Sequence, residues 1–243
     1  KDEDYINSHY VIMATKKGQV KKTSLEQYSR PRTNGINAIT IREDDTLLEA
    51  KLTTGESQVM LALKSGKAIR FEEAKTRPMG RNASGVRGIR LQDENTDEVI
   101  GMIAVDDMES NILVVSENGY GKRSSLEDYR ITNRGGKGVK TISITEKTGN
   151  LVSIKNVTDE DDLMIINKSG IAIRMAVDDL RVMGRATQGV RLINLKGNDE
   201  IAAVAKVDKE EVDESNEPID QSDDINSTDD APKSDENQEL NDE

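Results

Sequence analysis

Four cations stand at one offset, four residues after a glycine: Lys22, Arg70, Arg123 and Arg174 follow Gly18, Gly66, Gly119 and Gly170. A second set falls 14 or 15 residues after the same glycines: Arg32, Arg81, Arg134 and Arg185. Cations fixed at a repeating interval suit a polyanion, because they displace its counterions and match its periodic backbone. The most distinctive segment is Arg134-Gly135-Gly136-Lys137-Gly138. Its glycines let the backbone come close to phosphate, and successive N–H groups can form an anion nest. It is not a nucleotide-binding P-loop, since the GxxxxGK pattern is unmet and no helix follows. Taken alone, the motif also reads as a glycine-rich hairpin loop with incidental charge. Any single arginine reads equally well as a partner for an acidic residue of a neighbouring repeat. The whole set at matched positions points to an anion, and duplex DNA fits a linear, repeated array better than a small anion does.

Other chemistries are poorly supplied. The 243 residues include no cysteine and one histidine, His9, which leaves no thiolate metal site, no thiol nucleophile and no histidine cluster. Aromatic residues make up 2 %, too few for a stacking surface that binds single strands. Paired carboxylates such as Asp161 and Asp162 lie at a repeat junction and read as solvated turns rather than an acid–base pair. No apolar run is long enough to cross a bilayer and no signal-peptide pattern opens the chain, which suits a cytoplasmic, nucleoid-associated protein. No cofactor or metal is expected in this chain.

The cations must be positioned by short strands. Apolar runs at Tyr10–Thr15, Val59–Leu63, Ile112–Ser116 and Leu163–Asn167 each lead into one of the four glycines, which are spaced by 48, 53 and 51 residues. Each glycine suits a tight hairpin turn and opens a second strand. Third strands are expected at Ile36–Ile41, Val86–Leu91, Val139–Ile144 and Val190–Leu195, and fourth strands at Leu47–Leu52, Val99–Val105, Leu151–Val157 and Ile201–Val207. Four strands repeated at this period are the signature of propeller-like blades, so the expected fold is all-β. Repeats one and three share a Ser-Leu-Glu turn ending in Tyr28 or Tyr129; repeats two and four share Met-Gly-Arg at Met79 and Met183. The tyrosine reads as a structural corner.

Charge is sorted within this pattern. The net charge is −12, but Asp208–Glu243 alone carries −14, leaving +2 for residues 1–207. Inside those residues, the windows 16–39, 64–87, 117–140 and 168–191 hold 24 basic and 8 acidic residues, and the remainder holds 8 basic and 22 acidic. If the repeats stack around an axis, the windows form one positive band. The terminal run has almost no apolar residue and is expected to be disordered. It reads either as a solubilising extension or as a segment that contacts the basic band in cis.

In the stretches Ile12–Thr23, Arg77–Leu91, Gly119–Arg123, Arg134–Gly138 and Gly184–Leu195, the chain resembles the C-terminal domain family of DNA gyrase A. The resemblance implies a β-pinwheel, a propeller variant whose blades exchange strands, with a positive rim that binds duplex DNA and wraps it. It implies that residues 1–207 form this domain, with blade-like repeats at about 5–57, 58–110, 111–161 and 162–207, followed by the tail at 208–243. It further implies a non-catalytic part of an ATP-hydrolysing topoisomerase, with ATP and Mg2+ used by the holoenzyme and with gyrase B and the rest of gyrase A as partners. DNA contact is carried over to Arg134 and Lys137. The family has about six blades, whereas four are visible, in an order like the last four; the chain therefore reads as a fragment. The family's Gln-Arg-Arg-Gly-Gly-Lys-Gly box is missing, and Thr132–Gly138 is an incomplete relative of it. The matching C-terminal domain of topoisomerase IV is the nearest alternative, and a propeller-like scaffold for protein ligands is an alternative of another class.

Overall fold

A computed structural model describes residues 2–209. Past Lys209, the expected tail lies outside the described residues, while Asp208 ends the last strand. A short helix α1 (Glu3–Ser8) is followed by β1 (Tyr10–Thr15), β2 (Gln19–Ser24) and β3 (Leu47–Thr53). Repeat two contains β4 (Gln58–Leu63), β5 (Lys67–Glu72), β6 (Val86–Arg87) and β7 (Val99–Val105). Repeat three contains β8 (Asn111–Ser116), β9 (Tyr120–Ser125), β10 (Val139–Lys140) and β11 (Leu151–Val157). Repeat four contains β12 (Asp161–Asn167), β13 (Ala172–Ala176), β14 (Val190–Arg191) and β15 (Ile201–Asp208). The turn glycines take φ of 82°, 80°, 77° and 88°, the left-handed region that a side chain disfavours.

The sheets run β3-β1-β2-β6, β7-β4-β5-β10, β11-β8-β9-β14 and β15-β12-β13. All strand pairings within them are antiparallel. The third strand of each repeat therefore completes the sheet of the preceding repeat. Three expectations change here. The third strands are two residues long, because only Val86–Arg87, Val139–Lys140 and Val190–Arg191 reach a host strand. The rest of each run folds over the preceding turn: the N–H groups of Gly88, Thr141 and Leu192 donate to the carbonyls of Gly18, Gly66 and Gly119. Ile36–Ile41 forms no strand, since the described residues hold no earlier host for repeat one. The fourth sheet has three strands, as no later repeat supplies a fourth among the described residues.

Three apolar clusters fill the spaces between successive sheets. Ile12, Val20, Leu61 and Phe71 lie in the first, Met60, Ile112, Val114 and Tyr129 in the second, and Leu113, Val115, Leu163 and Ile165 in the third. Inner sheets are thus covered on both faces, which explains continuous apolar runs in place of alternation. The strands β3, β7, β11 and β15 touch one another in sequence and mark the inner edge. The exchanged strands β6, β10 and β14 lie on the opposite, outer edge.

Candidate nucleic-acid interface

The outer edge is built from the second strand of one repeat and the loop of the next that runs alongside it. Parallel bridges Lys22–Pro78, Arg70–Ile131 and Arg123–Val182 start each loop, and the exchanged strand ends it. The cation rows fall on this frame, but at different depths.

In the first three repeats the cations four after the glycine are not surface groups. Lys22, Arg70 and Arg123 are 4 %, 8 % and 7 % exposed. Lys22 pairs with buried Glu73 at 3.0 Å and lies over the Tyr10 ring. Arg70 donates to Gln58 Oε1 at 2.6 Å, Leu126 O at 2.7 Å and Tyr129 O at 3.0 Å. Arg123 bonds Leu180 O and Asp159. Each therefore ties a second strand to the turn of the next repeat, and none reaches the face a polyanion would meet. Burial pushes the Arg70 guanidinium down from its ordinary range, with Glu127 opposing. In the last repeat, Arg174 bonds Asp162 at 2.7 Å and Asp208 O at 2.8 Å.

The later row is more accessible. Arg32 is exposed, and Arg81, Arg134 and Arg185 are half-buried. Arg134 and Arg185 make matched bonds to the preceding repeat: Arg134 Nε to Lys75 O at 3.0 Å and Nη1 to Arg87 O at 3.1 Å, Arg185 Nε to Asp128 O at 3.0 Å and Nη1 to Lys140 O at 2.7 Å. These arginines clasp their loop in place and leave Nη2 without a described partner.

The glycines of Arg134–Gly138 do unequal jobs. Gly138 has φ 71°, and a Cβ there would stand 2.6 Å from Ala68 O. Gly85 and Gly189 meet the same obstacle in their repeats, so this glycine serves strand exchange. Gly135 has φ 82° and donates its N–H to Gly88 O at 2.6 Å. Gly136 has room, its nearest neighbour being Ile69 Cδ1 at 3.5 Å. Lys137 is exposed beside a cleft of about 220 Å³ that also borders Arg70, Arg130 and Asn133. Gly138→Ala is expected to cost about 2 kcal/mol or more in urea denaturation, and Gly136→Ala under about 1 kcal/mol.

Two rows escaped the sequence reading. Arg77, Arg130 and Arg181 stand 11 residues after their glycines, and Arg87, Lys140 and Arg191 stand 21 after them. All six are exposed. Among the described residues none has a carboxylate in ion-pair range. The offset was present in the sequence; a matched position in three repeats was the available signal. Arg191 also donates to Tyr120 Oη at 2.8 Å, and that bond pulls the phenol below its ordinary range.

Tyr129 is buried and its hydroxyl bonds Thr141, a structural corner as expected; burial pushes the phenol up to about 12. Asp161 and Asp162 are not solvated turns. They begin β12, buried, with Asp161 accepting from Thr158 and pairing with Lys206, and Asp162 pairing with Arg174. Among the described residues, no group of three or more His, Cys, Asp or Glu is placed to hold a metal ion. No helix among them is long and apolar enough to cross a membrane.

The model of the DNA gyrase C-terminal domain, beta-propeller family matches residues 9–54, 59–106, 110–158 and 161–208. The chain belongs to this family. DNA gyrase A of Staphylococcus aureus strain MRSA252 is 48 % identical over 210 residues, which is 86 % of this chain and 23 % of that relative. DNA gyrase A of strain NCTC 8325 is 47 % identical over the same share. The chain thus spans about a quarter of the length of these curated relatives. Among solved structures, a C-terminal domain of DNA topoisomerase IV superposes with a TM-score of 0.78 at 23 % identity, covering 83 % of this chain and 62 % of that one. A DNA gyrase A C-terminal domain superposes at 0.73 and 24 %, covering 84 % and 68 %. At these identities the superpositions speak for the fold.

Proposed function

We propose that this chain binds duplex DNA along its outer edge, without reading base sequence, and bends it around the stacked sheets. The observation that carries the reading is the alignment on that edge of two rows of exposed cations with a half-buried third row beside them, repeated from sheet to sheet. Phosphate contacts of this kind fix position and carry no base information. The contacts assigned are Arg32, Arg81, Arg134, Lys137 and Arg185 together with Arg77, Arg87, Arg130, Lys140, Arg181 and Arg191. Lys22, Arg70 and Arg123 act beneath them as ties, while Arg174 bonds strands of its own sheet.

Identity to gyrase A proteins supports placing the domain in a gyrase holoenzyme. There the curved segment is passed to the remainder of gyrase A and to gyrase B, in support of ATP- and Mg2+-dependent negative supercoiling. The domain itself is proposed to be non-catalytic. Fluorescence anisotropy with a labelled duplex tests the reading. Affinity falls steeply and linearly on a log–log salt plot if phosphates carry the binding. A shallow slope, or a strong preference for one base sequence, overturns it.

Bending gives a second expectation. A duplex rich in flexible pyrimidine–purine steps binds tighter than an A-tract duplex of equal length, because deformation energy enters the affinity. Equal affinity removes bending from the account. The acidic segment Glu210–Glu243, net −14, is proposed to compete with DNA for the same edge. A chain ending at Lys209 then binds duplex more tightly, and the gain fades as the Debye length shrinks from about 30 Å at 0.01 M salt to about 8 Å at 0.15 M. Equal affinity at low salt leaves the segment outside the binding equilibrium.

A further inference from the structure

Two lysines lie beneath the edge, where no DNA reaches. Lys21 and Lys122 are 0 % and 1 % exposed. They stand three residues after the turn glycines of repeats one and three; repeats two and four carry Ile69 and Ile173 there. Among the described residues neither has a carboxylate in ion-pair range. Their ammonium groups turn instead to the arginine loop of the next repeat. Lys21 Nζ donates to Arg81 O at 2.7 Å and to Ala38 O. Lys122 Nζ donates to Gly184 O at 2.7 Å and to Ser124 Oγ at 2.9 Å. The Arg134–Gly138 loop, whose host position is Ile69, is held by the Gly135 N–H on Gly88 O.

A buried ammonium is costly, and a methionine of similar length fills such a space without that cost. Burial pulls both lysines down to about 8, with Arg81 adding to the effect on Lys21. Around Lys122, Asp128 opposes the shift and Arg185 adds to it. A charge that the fold disfavours, kept in two alternate repeats and directed at one loop each time, serves that loop.

We propose that Lys21 and Lys122 are positioning residues of the DNA-binding edge: each clamps the arginine loop of the following repeat through one backbone carbonyl, Arg81 O or Gly184 O, fixing Arg81 and Arg185 for phosphate contact. This rests on the DNA-binding reading above. It assigns two kinds of junction, clamped by an ammonium between repeats one and two and between three and four, and clamped by glycine backbone between two and three.

The test is the full chain carrying Lys21→Met and Lys122→Met. Hydrogen exchange reads the clamp without DNA. The loop amides of Arg81 and Ala83, and of Met183 and Thr187, are hydrogen-bonded in the native chain. They exchange at least about tenfold faster in the variant, while the Asn133–Gly138 loop keeps its rate. Duplex affinity of the folded fraction at pH 7 falls about fivefold, the scale of losing charge-assisted bonds. If the double variant does not fold, the single variants report one junction each.

The pH profile separates positioning from bulk structure. The charged and titratable groups facing these lysines are Arg81 and Tyr28 at Lys21, the Tyr28 hydroxyl sharing the Ala38 carbonyl, and Asp128, Arg185 and, through Ser124, Tyr129 at Lys122. Tyr129, pushed up to about 12, is silent below about pH 10. Wild-type affinity therefore falls between about pH 7 and 9, and the variant is flat there; Tyr120→Phe in both backgrounds removes the other perturbed phenol. Fold stability moves the opposite way. With folded values near 8 and an ordinary value of 10.5, the unfolded chain holds more protons between them, so wild-type stability rises with pH across that window. Unchanged loop exchange overturns the clamp, and faster exchange with unchanged affinity and pH profile overturns its role in binding. If the wild type fails to bind duplex at all, the DNA reading has failed, and exchange still decides whether the lysines hold the loops.

Discussion

Reversing Arg77, Arg130 and Arg181 to Glu together is expected to weaken duplex binding by about a hundredfold or more at about 0.05 M salt, and to lower the salt slope by about three. The three side chains are exposed and carry no described ion pair, so the fold loses nothing with them. Each sits 11 residues after its turn glycine, at the start of the loop that runs along the outer edge. In a curved track these positions meet successive stretches of one duplex, so their losses add. Each new carboxylate also repels the phosphate it faces. The measurement is anisotropy across a salt series, with urea denaturation to confirm an unchanged fold. A loss under about threefold, with the fold intact, removes this row from the interface.

Arg70→Met and Arg123→Met are expected to act on the other observable. Arg70 holds three oxygens: one from its own sheet at Gln58 and two backbone carbonyls of the next repeat's turn. Its loss leaves buried acceptors unpaired and frees that turn from the preceding strand. Hydrogen bonds to a charged donor contribute about 1.5–3 kcal/mol each, so a loss of about 3 kcal/mol in the urea extrapolation is the expected scale. Arg123 gives a similar loss, since it ties Leu180 O and Asp159. Duplex affinity of the folded fraction changes by less than about threefold, since neither residue meets phosphate. Full stability with a large loss of affinity would instead return these residues to the surface role.

These two experiments separate what the sequence could and could not reveal. The turn glycines were legible because a positive φ has few other solutions, and all four of them take it. The strands Val99–Val105 and Leu151–Val157 were legible to the residue, because each begins and ends on an apolar residue flanked by a polar turn. Exchange of the third strand came only with the family resemblance, since its host lies one repeat upstream and local alternation carries no record of a partner. The run Val86–Leu91 alternates like a six-residue strand, yet only its first two residues meet β2.

The depth of each cation row was hidden for a related reason. In a sheet covered on both faces, the side-chain period of two does not mark a wet side. Arg70 sits between Ile69 and Phe71, and all three are buried. Matched offsets told where cations recur, not whether solvent reaches them. The rows at offsets 11 and 21 recur as regularly in repeats two to four, and their exposure comes from lying on the loop and on the exchanged edge strand. The charge sorting was legible in full because it is a sum over segments. Its meaning needed the structure, which divides the basic windows into buried ties and exposed contacts.

Arginine-selective labelling of the chain with phenylglyoxal, with and without saturating duplex and read residue by residue, tests the outer-edge assignment most directly. The account predicts that Arg77, Arg87, Arg130 and Arg181 react readily in the free chain and are protected at least about tenfold by DNA, while Arg70 and Arg123 react slowly in both states. Protection confined to residues away from the outer edge, or equal labelling of the four exposed arginines with DNA bound, would contradict it.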